Sequence, residues 1–242
     1  VTEVITVQSL SLAVRREGRA PRRLLDELSL TLKAGEVALL LGASGAGKTT
    51  LLHALMNEAP TGGVIVHGTG SLPCMAALGA VLLPQDPAAA MDPRQSAMDL
   101  VKEVLPVGSP RSAEQLLESM EVPREFWSAR AASLSVGLAQ RVQLAAVVGM
   151  EPRWLLLDEP TSALDRMRTR TVARELSRLV QRGTGLVVAT HDLFLAGLLG
   201  GSTHVLSEGR VVAAGDFQTL LEAAEHPDVV SILSAARGER SR

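Results

Sequence analysis

The stretch "EVALLLGASGAGKTTLLHALM", residues 36–56, constrains this chain more than any other. A short apolar run ending in glycine predicts a fully buried strand, and "TTLLHALM" predicts a helix. The link between them, residues 42–49, fits G-x-x-x-x-G-K-[ST] in the strand-then-helix context that a phosphate-binding loop requires. Gly42, Gly45 and Gly47, with Ala43, Ser44 and Ala46 between them, let the backbone curl until successive N–H groups converge on an anion, reinforced by the positive end of the helix. Lys48 can reach β- and γ-phosphates. The Thr49 hydroxyl can ligate Mg²⁺, a hard cation that prefers oxygen, and Thr50 can add a phosphate hydrogen bond. The chain has only three lysines, at 33, 48 and 102, so a chance match is remote. The loop implies polyphosphate binding; hydrolysis needs further groups.

The rest of the chain supplies a setting for it. Alternating apolar residues in "VITVQSLSLAV" and "LSLTLK" predict half-buried strands, and "GGVIVHG" and "GAVLLPQ" two further strands bounded by Gly and Pro. From about 89 to 150 the period becomes helical in "MDLVKEVL", "SAEQLLESMEV" and "GLAQRVQLAAVVGM", separated by Pro106, Pro110 and Pro123. Alternation resumes with "RWLLLDEP", a long Arg-rich helix from about 164 to 182, "GLVVAT" and "DLFLAGLLG". That order predicts an α/β fold with a mostly parallel sheet and crossover helices. "HVLSEGRVVAAG" predicts a hairpin turning at Glu208 and Gly209, followed by a short helix and a polar tail. The expectation is one domain over 1–242: a catalytic core with its β subdomain in 1–88 and 151–242, and a helical subdomain in 89–150.

Two strand ends carry further chemistry. "WLLLDEP" places Asp158 and Glu159 at the carboxyl end of a buried strand, where open α/β sheets bind ligands. Asp158 can hold Mg²⁺ through water, and Glu159 can orient or deprotonate an attacking water for in-line phosphoryl transfer. "VVATHD" delivers His191 to the same sheet edge, within reach of a γ-phosphate. Gln85, in "LLPQDP", follows a strand and leads into the helical segment, where it can sense the metal. His53, His67, His204 and His226 belong to no metal-ligand spacing.

Composition narrows the remaining classes. There is no uninterrupted apolar run of about eighteen residues, as a membrane-spanning helix needs. The first residues lack the order of a secretory signal, and cytoplasm is the expectation. A single Cys74 excludes an internal disulfide and is expected to be a small buried residue. A net charge of −2 argues against a nucleic-acid partner, although "RREGRAPRR" places five arginines between 15 and 23, which predicts a solvated turn.

Taken together, these motifs resemble the ATP-binding cassette ATPases over essentially the whole chain. "GASGAGKTT" stands as Walker A, Gln85 as the Q-loop, "LSVGLAQR" (134–141) as the signature, "WLLLDEP" as Walker B, Ser162, Ala163, Leu164 and Asp165 as the D-loop, and His191 as the switch histidine. The resemblance implies a P-loop NTPase core with an antiparallel β subdomain and an α-helical insertion. ATP and Mg²⁺ would be the ligands, with Thr49, Gln85 and Asp158 about the metal. It implies a head-to-tail dimer with a second such subunit, in which the signature (Leu134, Ser135, Val136, Gly137, Leu138) serves the ATP bound by the partner. Ser135 and the Gly137 backbone would be donors to that γ-phosphate. Docking on transmembrane permease subunits, with a solute-binding protein, would put the chain on the cytoplasmic face of a bacterial membrane.

"LLPQDPAAAMDPRQS" (82–96) and the apolar Leu138 resemble the peptide and nickel importer branch, so the expected cargo is a small peptide, nickel or a metal chelate. Two departures stand out. The aromatic residue that usually stacks on adenine near the second strand is missing around Ala13 and Val14, leaving apolar contact or an Arg. The usual first Gly of the signature is Val136, whose β-branched side chain predicts a weakened composite site. Alternatives are a non-transport cassette, although no long coiled-coil insertion or tandem cassette is seen; a small P-loop kinase, disfavoured by the Asp-Glu pair and His191; and a catalytically weak regulatory cassette in a heterodimer.

Overall fold

A computed structural model describes residues 3–15, 21–58, 64–86 and 91–222, with the backbone alone over 64–68. Two sheets are found among these residues. β1 (Val4–Arg15), β2 (Arg22–Lys33) and β4 (Val64–Ser71) form an antiparallel sheet in the order β2-β1-β4. The larger sheet runs β5-β6-β7-β3-β8-β9, from β5 (Ala80–Leu83), β6 (Trp154–Asp158), β7 (Gly185–Thr190), β3 (Val37–Leu41) and β8 (Ser202–Ser207), all parallel, to β9 (Arg210–Asp216), antiparallel to β8. The expected α/β class with a mostly parallel sheet is the observed one.

Parallel strands buried on both faces read as continuous apolar runs, and their alternate residues serve two cores. Leu39, Leu41, Leu155, Leu157, Leu186 and Val188 face one core, shared with α4 (Val136–Gly149), α5 (Arg166–Gln181) and α6 (Leu193–Leu199). Ala38, Leu40, Trp154, Leu156, Val187 and Ala189 face the other, shared with the antiparallel sheet and α1 (Lys48–Leu55). The central sheet is thus the middle of three layers. The first core continues into α2 (Ala97–Val104) and α3 (Ala113–Ser119), through Leu100, Val101, Leu116 and Leu117. Ser96 caps α2, and Ser112 with Gln115 forms a capping box on α3, so both helices begin where a side chain satisfies free N–H groups. α7 (Phe217–Glu222) follows β9. Among the described residues no helix is long and apolar enough to cross a membrane.

Register decides where the site lies. Leu41 pairs with Thr190 and Asp158 with Ala189, so β3, β6 and β7 end level and the segments after them emerge along one edge. The expected hairpin turns at Glu208 and Gly209, at φ 47° and 81°, the two positive values that a tight type I′ turn requires. β1 and β2 alternate as expected but break register near Ser9 and Glu27, both at positive φ. The arginine run is partly seen: Arg15 ends β1, Arg22 and Arg23 open β2, and 16–20, with the expected turn, lie outside the described residues, as do His226 and the polar tail. Cys74 departs from expectation: it is exposed. The adjacent Met75 takes the one inward position there, fully buried, with its N–H donating to the Leu55 carbonyl.

His204, on β8, is buried, and among the described residues its Nδ1 has no hydrogen-bond partner. Burial therefore pushes its pKa below the ordinary 6.5. The folded protein favours the neutral ring, so the unfolded chain binds more protons as pH falls through 6.5, and stability present above that value is lost below it. Between pH 7.5 and 5.5, His204→Leu should lose less stability than the parent chain in urea melts; an identical loss would sink the assignment.

Candidate nucleotide site

The loop after β3 packs tightly. Gly42 has no room for a side chain, since a Cβ there would lie 2.5 Å from the Leu206 carbonyl oxygen. Gly45 and Gly47 have φ 82° and 106°, a region in which L-residues are strained. The Gly209 N–H donates to the Ala46 carbonyl at 3.0 Å, so the β8–β9 hairpin braces the loop from beneath. Gly47 is the N-cap of α1, and no acidic residue lies in the first turn. The N–H groups of Lys48, Thr49 and Thr50 thus open a helix with no acidic side chain of its own in the first turn.

Three buried ionisable groups meet beside that helix start. Lys48 is 7% exposed, Asp158 3% and Glu159 7%. The Lys48 ammonium donates to the Gly42 carbonyl at 2.7 Å and the Ala43 carbonyl at 3.2 Å, and lies 3.8 Å from a Glu159 oxygen. Burial lowers the Lys48 pKa, while Glu159 and Asp158 draw it back up. Burial likewise raises that of Asp158, with the negative Glu159 adding to the rise, against the Thr49 hydroxyl and Lys48, which lower it. Thr49 Oγ1 donates to Asp158 Oδ2 at 2.7 Å, joining the loop to the end of β6 across the intervening β7. Asp158 Oδ1 has no partner among the described residues.

Glu159 is the most constrained of these residues. Its φ is 49°, a left-handed conformation that costs a non-glycine residue about 1–3 kcal/mol and persists where the surroundings enforce it. The enforcement is visible. Its N–H donates to the Ala189 carbonyl at 2.8 Å, and its own carbonyl accepts from Gln140 Nε2 at 3.1 Å. One carboxylate oxygen lies 2.8 Å from His191 Nδ1; the other accepts from Thr190 Oγ1 at 3.1 Å and from the His191 N–H at 3.4 Å. The His191 ring is largely exposed. Asp192 caps α6 and accepts from Thr161 Oγ1 at 3.2 Å, which ties the segment after His191 to the one after Glu159.

The expected residues therefore divide. Residues 42–50, Asp158, Glu159 and His191 converge at one sheet edge. Gln85 is exposed, two residues beyond the pairing of Leu83 with Leu157, so it leaves the sheet beside the strand that delivers Glu159. The signature stands elsewhere. Ser135 is the N-cap of α4, accepting from the Leu138 N–H at 3.3 Å, and Val136 is 65% exposed. Gly137 packs on the D-loop: a Cβ there would sit 3.0 Å from the Ala163 carbonyl oxygen. Asp165 caps α5. Sequence reasoning missed Thr190, Gln140 and Thr161. Thr190 stood beside His191 in "VVATHD", whereas Gln140 stood inside "LSVGLAQR" without being singled out, because its partners lie about twenty residues on.

Residues 25–162 match the ABC transporter family. The chain belongs to that family. It is similar to the hemin import ATP-binding protein HmuV of Rhodococcus jostii, at 33% identity over 87% of this chain and 75% of the relative. It is also similar to the Escherichia coli "Probable D,D-dipeptide transport ATP-binding protein DdpD", at 30% over 88% and 72%. The fold matches the ATP-binding subunit of an ABC transporter with TM-score 0.73 at 20% identity, covering 97% of this chain and all of that one. A dimeric ATP-binding cassette solved in a post-hydrolysis state with ADP and Pi matches with TM-score 0.71 at 24% identity, over 88% of this chain and 98% of that one. The chain is thus an ABC-type ATPase.

Crowding at Gly42 has a measurable consequence. Gly42→Ala should cost about 1–3 kcal/mol of stability by overpacking, read as a lower urea midpoint. Gly45→Ala meets no atom within 4 Å but sits at φ 82°, so its cost, about 1–2 kcal/mol, is one of backbone strain. Unchanged midpoints for both would contradict the described loop.

Proposed function

We propose that this ATPase energises uptake of a small peptide or metal chelate through a membrane permease, as one of two nucleotide-binding subunits. The observation that carries the catalytic part is the joining of loop and acidic strand by the Thr49–Asp158 hydrogen bond, with Glu159 held against His191. Lys48 and the N–H groups at the start of α1 take the β- and γ-phosphates. Glu159, held at both carboxylate oxygens, orients water for attack on the γ-phosphorus and accepts its proton, and His191 steadies that carboxylate from the solvent side.

The residues also fit Mg²⁺. Asp158 Oδ1, buried and unpartnered among the described residues, together with the Thr49 hydroxyl supplies the hard oxygen donors this ion prefers, and Gln85 can add another. Bound there, the ion would neutralise charge building on the phosphate oxygens.

Cargo class rests on "LLPQDPAAAMDPRQS" and on relatives named for hemin and dipeptide transport. Hemin is a metal chelate, and neither name carries nickel. The partners are a second cassette, permease subunits and a solute-binding protein, which place the chain at the cytoplasmic face of a bacterial membrane. Val14 is buried and Arg15 exposed where an adenine-stacking aromatic would stand, so the base is held by apolar contact or by an arginine.

A second possibility, a weak cassette completed by a better partner, is favoured by one observation: the exposed Val136 side chain on the first turn of the signature helix. Val136 has no positive φ, so the backbone accommodates it and the obstacle is steric, where a phosphate must approach.

Copurification with an import permease, followed by solute-stimulated ATP hydrolysis, tests the proposal. Glu159→Gln should lower that turnover by about 100-fold or more with ATP still bound, whereas assembly only with an export permease would overturn the import assignment. Val136→Gly should raise turnover of the isolated protein several-fold; brisk hydrolysis by the parent chain with no gain from the change would remove the steric argument.

A further inference from the structure

The geometry points to Gln140 as a positioning residue that couples the signature helix to the catalytic carboxylate. Gln140 lies in α4 and is 1% exposed. Its neighbours Ala139 and Val142 are core residues, and a polar amide in such a setting is tolerated only when hydrogen-bonded. It is bonded at both ends, to one short segment. Nε2 donates to the Glu159 carbonyl at 3.1 Å and lies 3.4 Å from Ser162 Oγ, and Oε1 accepts from the Ala163 N–H at 3.2 Å. One side chain thus fixes the peptide that carries the catalytic carboxylate and the backbone of the D-loop.

Glu159 needs that support. Its left-handed φ is held from β7 through the Ala189 carbonyl and from α4 through Gln140. The β7 bond belongs to the rigid sheet. The α4 bond belongs to the helix whose N-cap is Ser135, five residues before Gln140 and so about 7.5 Å along the axis. Gly137, between them, bears on the Ala163 carbonyl. Any displacement at the start of α4 is therefore passed by a rigid helix to the Glu159 peptide, with no need for contact between signature and P-loop in one chain. Gln140 senses whether the signature is engaged and sets the aim of Glu159 accordingly. This inference rests on the proposed second nucleotide-binding subunit and on the reading, implied by the family resemblance, that Ser135 and Gly137 meet the ATP it binds.

The test is steady-state ATP hydrolysis by the purified full chain carrying Gln140→Met, Ser135→Ala or both, with ATP binding and urea melts alongside. Gln140→Met keeps the volume and removes the hydrogen bonds. Turnover should fall about 10- to 100-fold, the scale of a displacement near 1 Å at a reacting group, with KM for ATP and ATP affinity within about threefold. The double variant should be no slower than the slower single one, because both changes cut the same link. Should Gln140→Met not fold, Gln140→Glu, which keeps the acceptor for Ala163 and loses both donors, carries the same expectations. Wild-type turnover, or equal losses in turnover and ATP affinity, would overturn the positioning role. Multiplying effects in the double variant would overturn the coupling. If Ser135→Ala alone changes nothing, the coupling fails through its premise about the partner's ATP, and the Gln140 results show that separately.

Discussion

An ammonium and two carboxylates are buried together at the edge of an apolar sheet, and the rest of the fold accommodates them. Lys48, Asp158 and Glu159 could not share that edge as isolated charges, because removing each from water costs several kcal/mol. Mutual attraction compensates only with the added bonds to the Gly42 and Ala43 carbonyls, Thr49, Thr190 and His191. Those bonds come from the last residues of β6 and β7 and from the segments that follow β3 and β7. They can form only if the three strands end level, as their register ensures. Among the described residues, Asp158 Oδ1 alone of the cluster's carboxylate oxygens has no partner.

The antiparallel sheet and the β8–β9 hairpin then serve the loop. Gly209 donates to Ala46 and packs against Leu24 and Leu25, while Asp26 accepts from Arg210 at 2.7 Å. Phosphate-binding backbone is thereby held from below by the β subdomain and from the side by the central sheet. Preorganised N–H groups bind an anion without the cost of ordering the loop.

On the other layer, α4 and α5 join the helical segment to the sheet. Arg111 reaches the buried Glu175 of α5 at 2.7 Å, and Thr171 donates to Glu121 at 2.6 Å. Contacts of Gly137 and Gln140, on the expected signature helix, run to the backbone of Ala163 and to the Glu159 peptide. The proposed composite site, with each half built by a different subunit, would use these contacts.

The glycine-rich loop, the acidic strand end, the delivery of His191 to the same sheet edge, the alternation of strands and helices around them and the Glu208–Gly209 turn were legible in the amino-acid sequence, whereas the order of the strands in the sheet was not. Each legible feature is a local pattern of glycine, apolar run and charge whose physics acts within a few residues. Cys74 was misjudged because burial of one residue depends on which neighbour, here Met75, claims the inward position. Likewise, Val136 could be named as a departure, but only the structure showed that its backbone is unstrained and its side chain exposed. The left-handed Glu159, its bonds to Thr190 and Gln140, and the bracing of Ala46 by Gly209 join residues far apart in sequence. The sequence alone therefore determined the chemistry at each strand end. Tertiary structure decided how those ends are aimed, because strand register and helix packing, unlike local pattern, depend on the whole chain closing at once.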